Sequence, residues 1–337
     1  MIPKDPKPLI FSVLRDLYAV PEEELAGLDM EGYVTRLRGI HQGLSAEHEF
    51  AAIASWLGDP RLIVHTDEVI TTDKHFRVPD FLVVARRDGK DIPFLVEVKS
   101  EQDKKKLVWS EGYLTSMRRF AKMLNLPLLI GWKTFGMWTL CDSELIEKNV
   151  TAYHLSRETA IKNNLMSALF GNVFIRVKEG FRLEIEYKLN DVTDSVAVIL
   201  PEGNYKATIT EMALYTAKGR LNSALTNELF PLFIARATDE HVTERTGDRI
   251  REKYSTDSEG MFNASDLLFA NTTFSSDPGE PIDWLVKLRK GLVKPAVNLP
   301  RVLDDGIDAG AIQYVLEQQP DKLPPFLEGI DFRIRKQ

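Results

Sequence analysis

Residues 78–100 read VPDFLVVARRDGKDIPFLVEVKS, which is two apolar runs separated by Asp88-Gly89. An Asp-Gly pair between apolar runs is typical of a tight β-hairpin, because both turn positions need a left-handed backbone. The pattern therefore predicts a strand over 78–84 that pairs antiparallel with a strand over 93–99.

This hairpin would gather polar side chains at the ends of its strands. Residues i and i+2 of a strand point to the same face, so Glu97 and Lys99 project together. Val96 and Val98 then face the core. Asp80 begins the first strand, and pairing across the turn lets it approach Glu97. The pattern predicts two carboxylates and one ammonium close together.

Two converging carboxylates make a site of hard oxygen ligands, which suits Mg²⁺. A neighbouring lysine can orient and polarise a water, or offset charge on a phosphate. Metal-assisted hydrolysis of a phosphodiester needs an ion that polarises the phosphoryl oxygen and activates water. Asp80, Glu97 and Lys99 are therefore the candidate catalytic residues.

The flanking sequence predicts a compact α/β unit over about residues 41–145. Apolar residues at helical spacing predict a helix that starts near Ser45 and another over 110–124, whose apolar face includes Tyr113. Short apolar runs predict further strands over 62–65, extended through Val69-Ile70, and over 126–132 and 136–141.

After residue 150 the pattern changes. Strict alternation on both sides of Lys178-Glu179-Gly180 predicts an antiparallel hairpin over 173–188. Residues 205–254 are predicted to be helical and 255–281 to form a loop region, with short helices over 284–290 and 310–317. We expect three parts: a helical segment over 1–40 packing on the core, a core domain over 41–150, and an α+β domain over 151–337 for recognition of substrate or partner.

The runs PDFLVV and FLVEVKS resemble the signature of the PD-(D/E)xK nuclease superfamily, and archaeal Holliday junction resolvases are the nearest likeness. Two further motifs resemble those resolvases, namely Ala46-Glu47-His48-Glu49 and Met117-Arg118-Arg119-Phe120. The resemblance covers the unit over 41–145. It implies an α/β fold with a restriction-endonuclease-like mixed sheet flanked by helices.

The resemblance also implies roles for residues. Asp80, Glu97 and the Val98 carbonyl would bind the metal, and Lys99 would be the catalytic lysine. Glu47 would complete the acidic set through the water shell of the metal or a second ion. The helical wheel does not separate Glu47 from Glu49, since they lie on opposite flanks of the predicted apolar face. Only the resemblance favours Glu47.

Two groups of basic residues are candidates for binding nucleic acid. The first is the run Lys104, Lys105 and Lys106 after the ExK strand, and the second is Arg118 with Arg119. A run of charge is usually a solvated surface, and that reading stands beside the functional one.

Composition limits the remaining classes. The 337 residues carry a net charge of −7, which excludes a protein coated in basic surface but not one with a local basic groove. There is no long apolar run, so we expect no membrane segment. The single cysteine, Cys141, fits a reducing cytoplasm. No nucleotide-binding glycine motif occurs, so no nucleotide cofactor is expected.

These observations predict a cytoplasmic, Mg²⁺-dependent DNA endonuclease in which Mn²⁺ can substitute. It would act in restriction, phage defence, or DNA repair and recombination. A homodimer is expected, because two active sites are needed to cut both strands in one encounter. Two alternatives stay open: a catalytically silent nuclease-fold subunit for DNA binding or assembly, and an RNA-cutting defence nuclease.

Overall fold

The computed structural model describes residues 45–66, 73, 75–101, 103–150, 152–189, 196–200, 203–235, 240–255, 261–274 and 282–330 of the chain. The helical segment predicted over 1–40 lies outside these residues, and so does the predicted strand extension through Val69-Ile70.

A five-stranded mixed sheet forms the centre of the first half. Helix α1 spans residues 45–58 and precedes the first strand. The strands have the order β1-β2-β3-β5-β6, and only β3 and β5 pair in parallel. Their bounds are β1 Leu62–His65, β2 Phe81–Arg87, β3 Lys90–Ser100, β5 Leu128–Thr134 and β6 Met137–Asp142, with β4 Lys106–Ser110 and helix α2 Glu111–Met123 between β3 and β5. The predicted mixed sheet with flanking helices is confirmed.

The hairpin of β2 and β3 turns at Asp88-Gly89, as predicted. Asp88 has φ of 49° and Gly89 has φ of 71°, which is the left-handed pair that a two-residue hairpin turn requires. Arg87 is registered with Lys90 and Phe81 with Val96. Both strands are longer toward the turn than the apolar pattern indicated, because Arg86, Arg87 and Lys90 also pair.

Both faces of this sheet are covered. Phe50 and Ile53 of α1 pack in one buried cluster with Val96 and Val98. On the opposite face, α2 packs in a second cluster that contains Leu95, Leu114, Ile130 and Trp132. A strand between two helical layers is buried on both sides. Glu97, which lies on the α2 face, is therefore only 2% exposed.

Three further sheets accompany the central one in the described residues. A three-stranded sheet joins β4 to β7 Glu147–Asn149 and β8 Ala152–Ser156, and another has the order β16-β9-β17. The third has the order β11-β12-β10-β15-β14, with β13 beside β12. The bounds are β9 Phe174–Val177, β10 Arg182–Leu189, β11 Val196–Leu200, β12 Gly203–Thr216, β13 Gly219–Arg220, β14 Glu240–Thr246, β15 Arg249–Ser255, β16 Met261–Asn263 and β17 Ile312–Leu316.

Six helices accompany these sheets in the described part of the chain. They are α3 Arg157–Lys162, α4 Met166–Phe170, α5 Ser223–Ala235, α6 Ala264–Phe274, α7 Trp284–Arg289 and α8 Leu299–Ala309. None of the helices that the structure describes combines the length and the hydropathy needed to cross a bilayer.

The hairpin predicted over 173–188 is wrong. Both strands exist, but β9 pairs with β16 and β17 while β10 pairs with β12 and β15. The Lys178 N–H donates to the Ala311 carbonyl at 2.8 Å, so the pairing of β9 with the chain beside β17 continues through Lys178. Alternation identifies a strand with two distinct faces, but it does not identify the neighbouring strand.

Three other predictions for the second half are wrong in part. In the described part of 205–254 only α5 is helical, since β12, β14 and β15 occupy much of the rest. The predicted loop over 255–281 contains β16 and α6. The helix predicted over 310–317 is strand β17, which follows helix α8 and pairs with β9. In each case the tertiary pairing outweighs the local apolar spacing.

Buried packing continues across residue 150. The cluster that contains Phe50 and Phe81 also contains Phe170, Leu268 and Trp284. Gly58 lies against Phe170, because a Cβ built on Gly58 would come within 2.5 Å of the Phe170 ring. The domain bounds expected from the sequence stay a prediction, and the two halves share one core at this place.

The contact between Gly58 and Phe170 predicts the effect of a substitution. Gly58→Ala should lower the free energy of unfolding by about 1–3 kcal/mol, because the fully buried ring of Phe170 has no room to move. Urea unfolding followed by circular dichroism measures this change. Gly112→Ala on α2 is the control, since its Cβ meets nothing within 4 Å and alanine favours the helix. A Gly58 variant as stable as the wild type would contradict the shared core.

Candidate active site

The register of the central hairpin places Asp80 opposite Glu97. Phe81 pairs with Val96 in this antiparallel strand pair. Asp80, which precedes Phe81, therefore lies opposite Glu97, which follows Val96. The Thr66 N–H donates to the Asp80 carbonyl at 2.9 Å and continues the pairing of β1 with β2. The Val98 N–H donates to Asp80 Oδ2 at 2.6 Å, which fixes the carboxylate against β3.

Glu97 lies at the centre of this group. Its Oε1 accepts hydrogen bonds from Lys99 Nζ at 2.6 Å and from the Tyr113 hydroxyl at 2.6 Å. Among the described residues, Asp80 Oδ1 and Glu97 Oε2 take part in no hydrogen bond or ion pair. Each carboxylate therefore keeps one oxygen for a further ligand.

The electrostatics of the group are dominated by crowded negative charge. Burial raises the pKa of Asp80 well above its ordinary value, and the charges of Glu97 and Glu47 raise it further. Lys99 and the hydrogen bond from Val98 act in the opposite direction without cancelling the rise. An additional positive charge close to Asp80 would stabilise its ionised form.

Lys99 and Tyr113 both stay protonated at neutral pH. Burial lowers the pKa of Lys99, but the nearby Glu97 carboxylate and its hydrogen bond outweigh this and raise the pKa above its ordinary value. Burial and the charge of Glu97 raise the pKa of Tyr113 to about 12. Glu97 is thus held by one cationic donor and one neutral donor.

The position of Tyr113 beside Glu97 was not predicted from the sequence. Its position on the apolar face of the predicted helix indicated core packing, and its ring does pack beside the cluster of α2. The hydroxyl, however, reaches across to Glu97 on β3. The available signal was a polar-tipped aromatic residue in the first turn after Ser110, and that signal is weak. The Arg77 guanidinium lies 4.0 Å from the centre of the Tyr113 ring.

The structure separates Glu47 from Glu49. Glu47 Oε2 lies 2.7 Å from His65 Nε2, and its charge raises the pKa of Asp80. Glu49 is buried and is bound by Lys133 at 2.6 Å and by the Trp138 indole N–H at 2.8 Å. Glu47 comes from α1, on the opposite face of the sheet from α2, and contributes to the field around Asp80 rather than to its direct contacts.

The predicted basic residues have different surroundings. Lys104, Lys105 and Lys106 are exposed, and Lys104 pairs with Glu101 at 2.9 Å. Arg118 is partly buried, donates to the Ser143 carbonyl and lies over the Tyr153 ring, so its side chain serves packing. Arg119 is exposed and takes part in no hydrogen bond or ion pair with any described residue.

A cleft of about 440 Å³ lies along the exposed side of α2. Its lining consists of His75, Glu111, Gly112, Thr115, Ser116 and Arg119. The Arg77 N–H donates to the Ser116 carbonyl at 3.4 Å, so the segment before Asp80 borders this cleft. Glu111 is paired with Lys148 at 2.6 Å, so the charge of Arg119 in the lining has no partner in the part of the chain that the structure describes.

The donor set was compared with the needs of a metal ion. In the described ranges no group of three or more His, Cys, Asp or Glu side chains could hold a metal ion. Asp80 and Glu97 offer two carboxylates, and each keeps an oxygen without a partner. Mg²⁺ is usually bound by one or two carboxylates, several waters and substrate phosphates. The two carboxylates therefore fit Mg²⁺ that keeps part of its water shell.

Comparisons with known proteins give a weak likeness, and only to solved structures. No protein-family model and no curated protein matches the sequence. Among solved structures, the chain is similar to Archaeoglobus fulgidus Hjc, a Holliday junction resolvase from an archaeal hyperthermophile. The identity is 15%, the alignment covers 27% of this chain and 77% of that chain, and the TM-score is 0.22. This similarity is too low to assign a fold or an activity to the chain.

The crowded carboxylates predict that Asp80→Asn stabilises the protein in the absence of divalent ions. Asparagine keeps an acceptor for the Val98 N–H and removes the repelled charge, so Tm should rise by about 2–4 °C at neutral pH. Calorimetry measures the change. Asp91→Asn, an exposed residue paired with Arg61 at 2.9 Å, should give no such rise.

The raised pKa of Asp80 also makes the stability of the protein depend on pH. Asp80 in the unfolded chain loses its proton near pH 4, whereas the folded state keeps it until the raised pKa is passed. The stability contributed by protonated Asp80 is therefore present below about pH 4 and is lost as the pH rises. The Tm advantage of Asp80→Asn should grow over this interval. A constant difference at all pH values would contradict the raised pKa.

Proposed function

We propose that this protein hydrolyses phosphodiester bonds in DNA with the help of Mg²⁺. The observation that carries the proposal is the contact group of Asp80, Glu97 and Lys99. Two carboxylates face each other across a strand pair, and an ammonium lies 2.6 Å from one of them. This combination of parts serves metal-assisted phosphoryl transfer to water.

Asp80 and Glu97 would hold the ion together with the Val98 carbonyl. When bound, Mg²⁺ would polarise a phosphoryl oxygen and lower the pKa of water in its shell. Asp80 is oriented for this by the Val98 N–H, and Glu97 by Lys99 and Tyr113. Glu47 would add negative potential at the site and would be reached through the water shell. Mn²⁺ should substitute for Mg²⁺.

Lys99 would act as a cation. Its ammonium has three N–H donors, of which one is directed at Glu97. The others can orient the attacking water and offset the charge that grows on the phosphate. The side chain is 27% exposed, so a substrate phosphate can reach it.

The finer assignments follow from this site. The sheet that joins the hairpin to β5 through α2 supports the restriction-endonuclease-like fold of PD-(D/E)xK nucleases. A second α+β domain over 151–337 for recognition of substrate or partner, a homodimer and a cytoplasmic location belong to the same proposal. Restriction, phage defence, and repair or recombination are the processes that such an activity would serve.

DNA would approach along the exposed basic residues near the site. Arg119 lines the cleft on α2 without a partner among the described residues, and Arg77 stacks on Tyr113 next to Glu97. Lys104, Lys105 and Lys106 are exposed after β3. Such residues can bind phosphates although the whole chain is acidic. Arg118 is set aside as a contact, because its side chain is used in packing.

The cleavage chemistry predicts the effect of Lys99→Ala. Nicking of supercoiled plasmid DNA with Mg²⁺ should fall at least about 100-fold, the usual cost of removing one electrostatic stabiliser of a transition state. Asp80→Ala should lose activity at least as strongly. Lys122→Ala is the control, because Lys122 is exposed on α2 outside the contact group. Equal activity of wild type and Lys99→Ala would refute the assigned chemistry.

The same assay addresses the two alternatives. A wild-type protein that binds DNA but does not nick it with Mg²⁺ or Mn²⁺ would support a silent DNA-binding or assembly subunit. Cleavage of labelled RNA that unlabelled DNA does not suppress would support an RNA-cutting defence nuclease. Under the proposal, DNA is cut and competes effectively with RNA.

Arg119, whose charge meets no partner among the described residues, is predicted to contribute to DNA binding. Arg119→Gln should weaken binding to a short duplex and should reduce the slope of log Kd against log salt by about 1, because one phosphate contact is lost. Fluorescence anisotropy over a salt series measures both effects. Arg61→Gln removes the same charge near the opposite end of β2 and should leave the slope unchanged. Identical behaviour of the two variants would exclude a specific contact at Arg119.

A further inference from the structure

We propose that Tyr113 is a positioning residue, which holds Glu97 in the orientation that binds the divalent ion. The inference rests on the proposed metal site. Tyr113 is not among the residues that the PD-(D/E)xK pattern names, and its hydroxyl is the group concerned. The hydroxyl donates to Glu97 Oε1 at 2.6 Å, and that carboxylate is almost fully buried.

The two oxygens of Glu97 have different surroundings. Lys99 and Tyr113 both donate to Oε1, while Oε2 has no partner among the described residues. A glutamate side chain has several rotatable bonds, and fixing it in one orientation costs conformational entropy. Two donors on one oxygen fix the carboxylate before an ion arrives and leave the other oxygen available.

Tyr113 is a neutral hydrogen-bond donor to Glu97. A second cation at the position of Tyr113 would hold Glu97 equally well but would repel a divalent ion. The phenol donates a hydrogen bond to Glu97 and, being neutral, adds no positive charge beside it. A neutral donor thus orders Glu97 without weakening the attraction of the two carboxylates for Mg²⁺.

Tyr113 is itself in contact with three neighbouring groups, from Ser110, Arg77 and Lys99. Its backbone N–H donates to Ser110 Oγ at 3.3 Å, which caps α2. The Arg77 guanidinium lies over the ring at 4.0 Å, and Lys99 Nζ lies 5.7 Å from the ring centre. Partners that fix a metal ligand in this way typically contribute a factor of about 10–100 in metal affinity or activity.

The test compares Tyr113→Phe with Tyr153→Phe. Tyr153 packs beside the same buried cluster, and cationic side chains also lie over its ring, but its hydroxyl makes no hydrogen bond with any described residue. Both variants lose one oxygen atom and keep the ring. Affinity for Mn²⁺ is measured without DNA, from the electron paramagnetic resonance signal of the free ion, and Tm is measured on the same samples.

Tyr113→Phe should weaken Mn²⁺ binding about 10-fold, whereas Tyr153→Phe should bind as the wild type does. In nicking assays, the Mn²⁺ concentration for half-maximal rate should rise by a similar factor, while kcat at saturating Mn²⁺ changes less. A role in stability alone would lower Tm and leave both metal dependences unmoved.

The outcomes separate this inference from the proposed function. If the wild type binds Mn²⁺ and nicks DNA, and Tyr113→Phe has the same Mn²⁺ affinity, the role of Tyr113 is refuted and the proposed function stands. Equal weakening in Tyr153→Phe would refute the role as well. If the wild type binds no Mn²⁺, the metal site and the role of Tyr113 both fall.

Discussion

The pairing of β2 with β3 is the constraint on which the site depends. The Asp88-Gly89 turn sets the register, and the register places Asp80 opposite Glu97. A slip of one residue would send one of the two carboxylates to the other face of the sheet. The apolar side chains on both strands prevent such a slip, because β3 lies between α1 and α2 with both faces buried.

This arrangement brings charge into a place where apolar residues would be more stable. Glu97 is buried on the face of the sheet that α2 covers, and Asp80 is repelled by the charges of Glu97 and Glu47. Lys99, Tyr113 and the Val98 N–H offset part of this cost through short hydrogen bonds. Such stored repulsion is typical of functional sites, where a ligand rather than the fold completes the charge balance. A cation would have the sign of charge that this balance requires.

The sequence was informative where one local signal had one structural solution. The turn at Asp88-Gly89, helices α1 and α2, and strands β1, β2 and β3 were predictable from apolar spacing and turn chemistry, whereas β4 was not predicted. The partners of β9 and β10 were not, because alternation gives a strand its two faces but leaves its neighbours undetermined.

The proximity of Asp80, Glu97 and Lys99 was predictable from the sequence, because a single hairpin fixes it. Tyr113 and the distinction of Glu47 from Glu49 depend on how helices pack on the sheet, and one sequence does not contain that information. Glu49 is committed to Lys133 and Trp138, two residues of β5 and β6 that are distant in the chain.

The location of a bound ion tests the central claim most directly. Crystals grown with Mn²⁺ and measured near the manganese absorption edge give an anomalous difference map that identifies the ion by element. A peak within ligand distance of Asp80 Oδ1, Glu97 Oε2 and the Val98 carbonyl is the expected result. A map without a peak between these two carboxylates, at a Mn²⁺ concentration that saturates the protein in solution, would contradict the assignment.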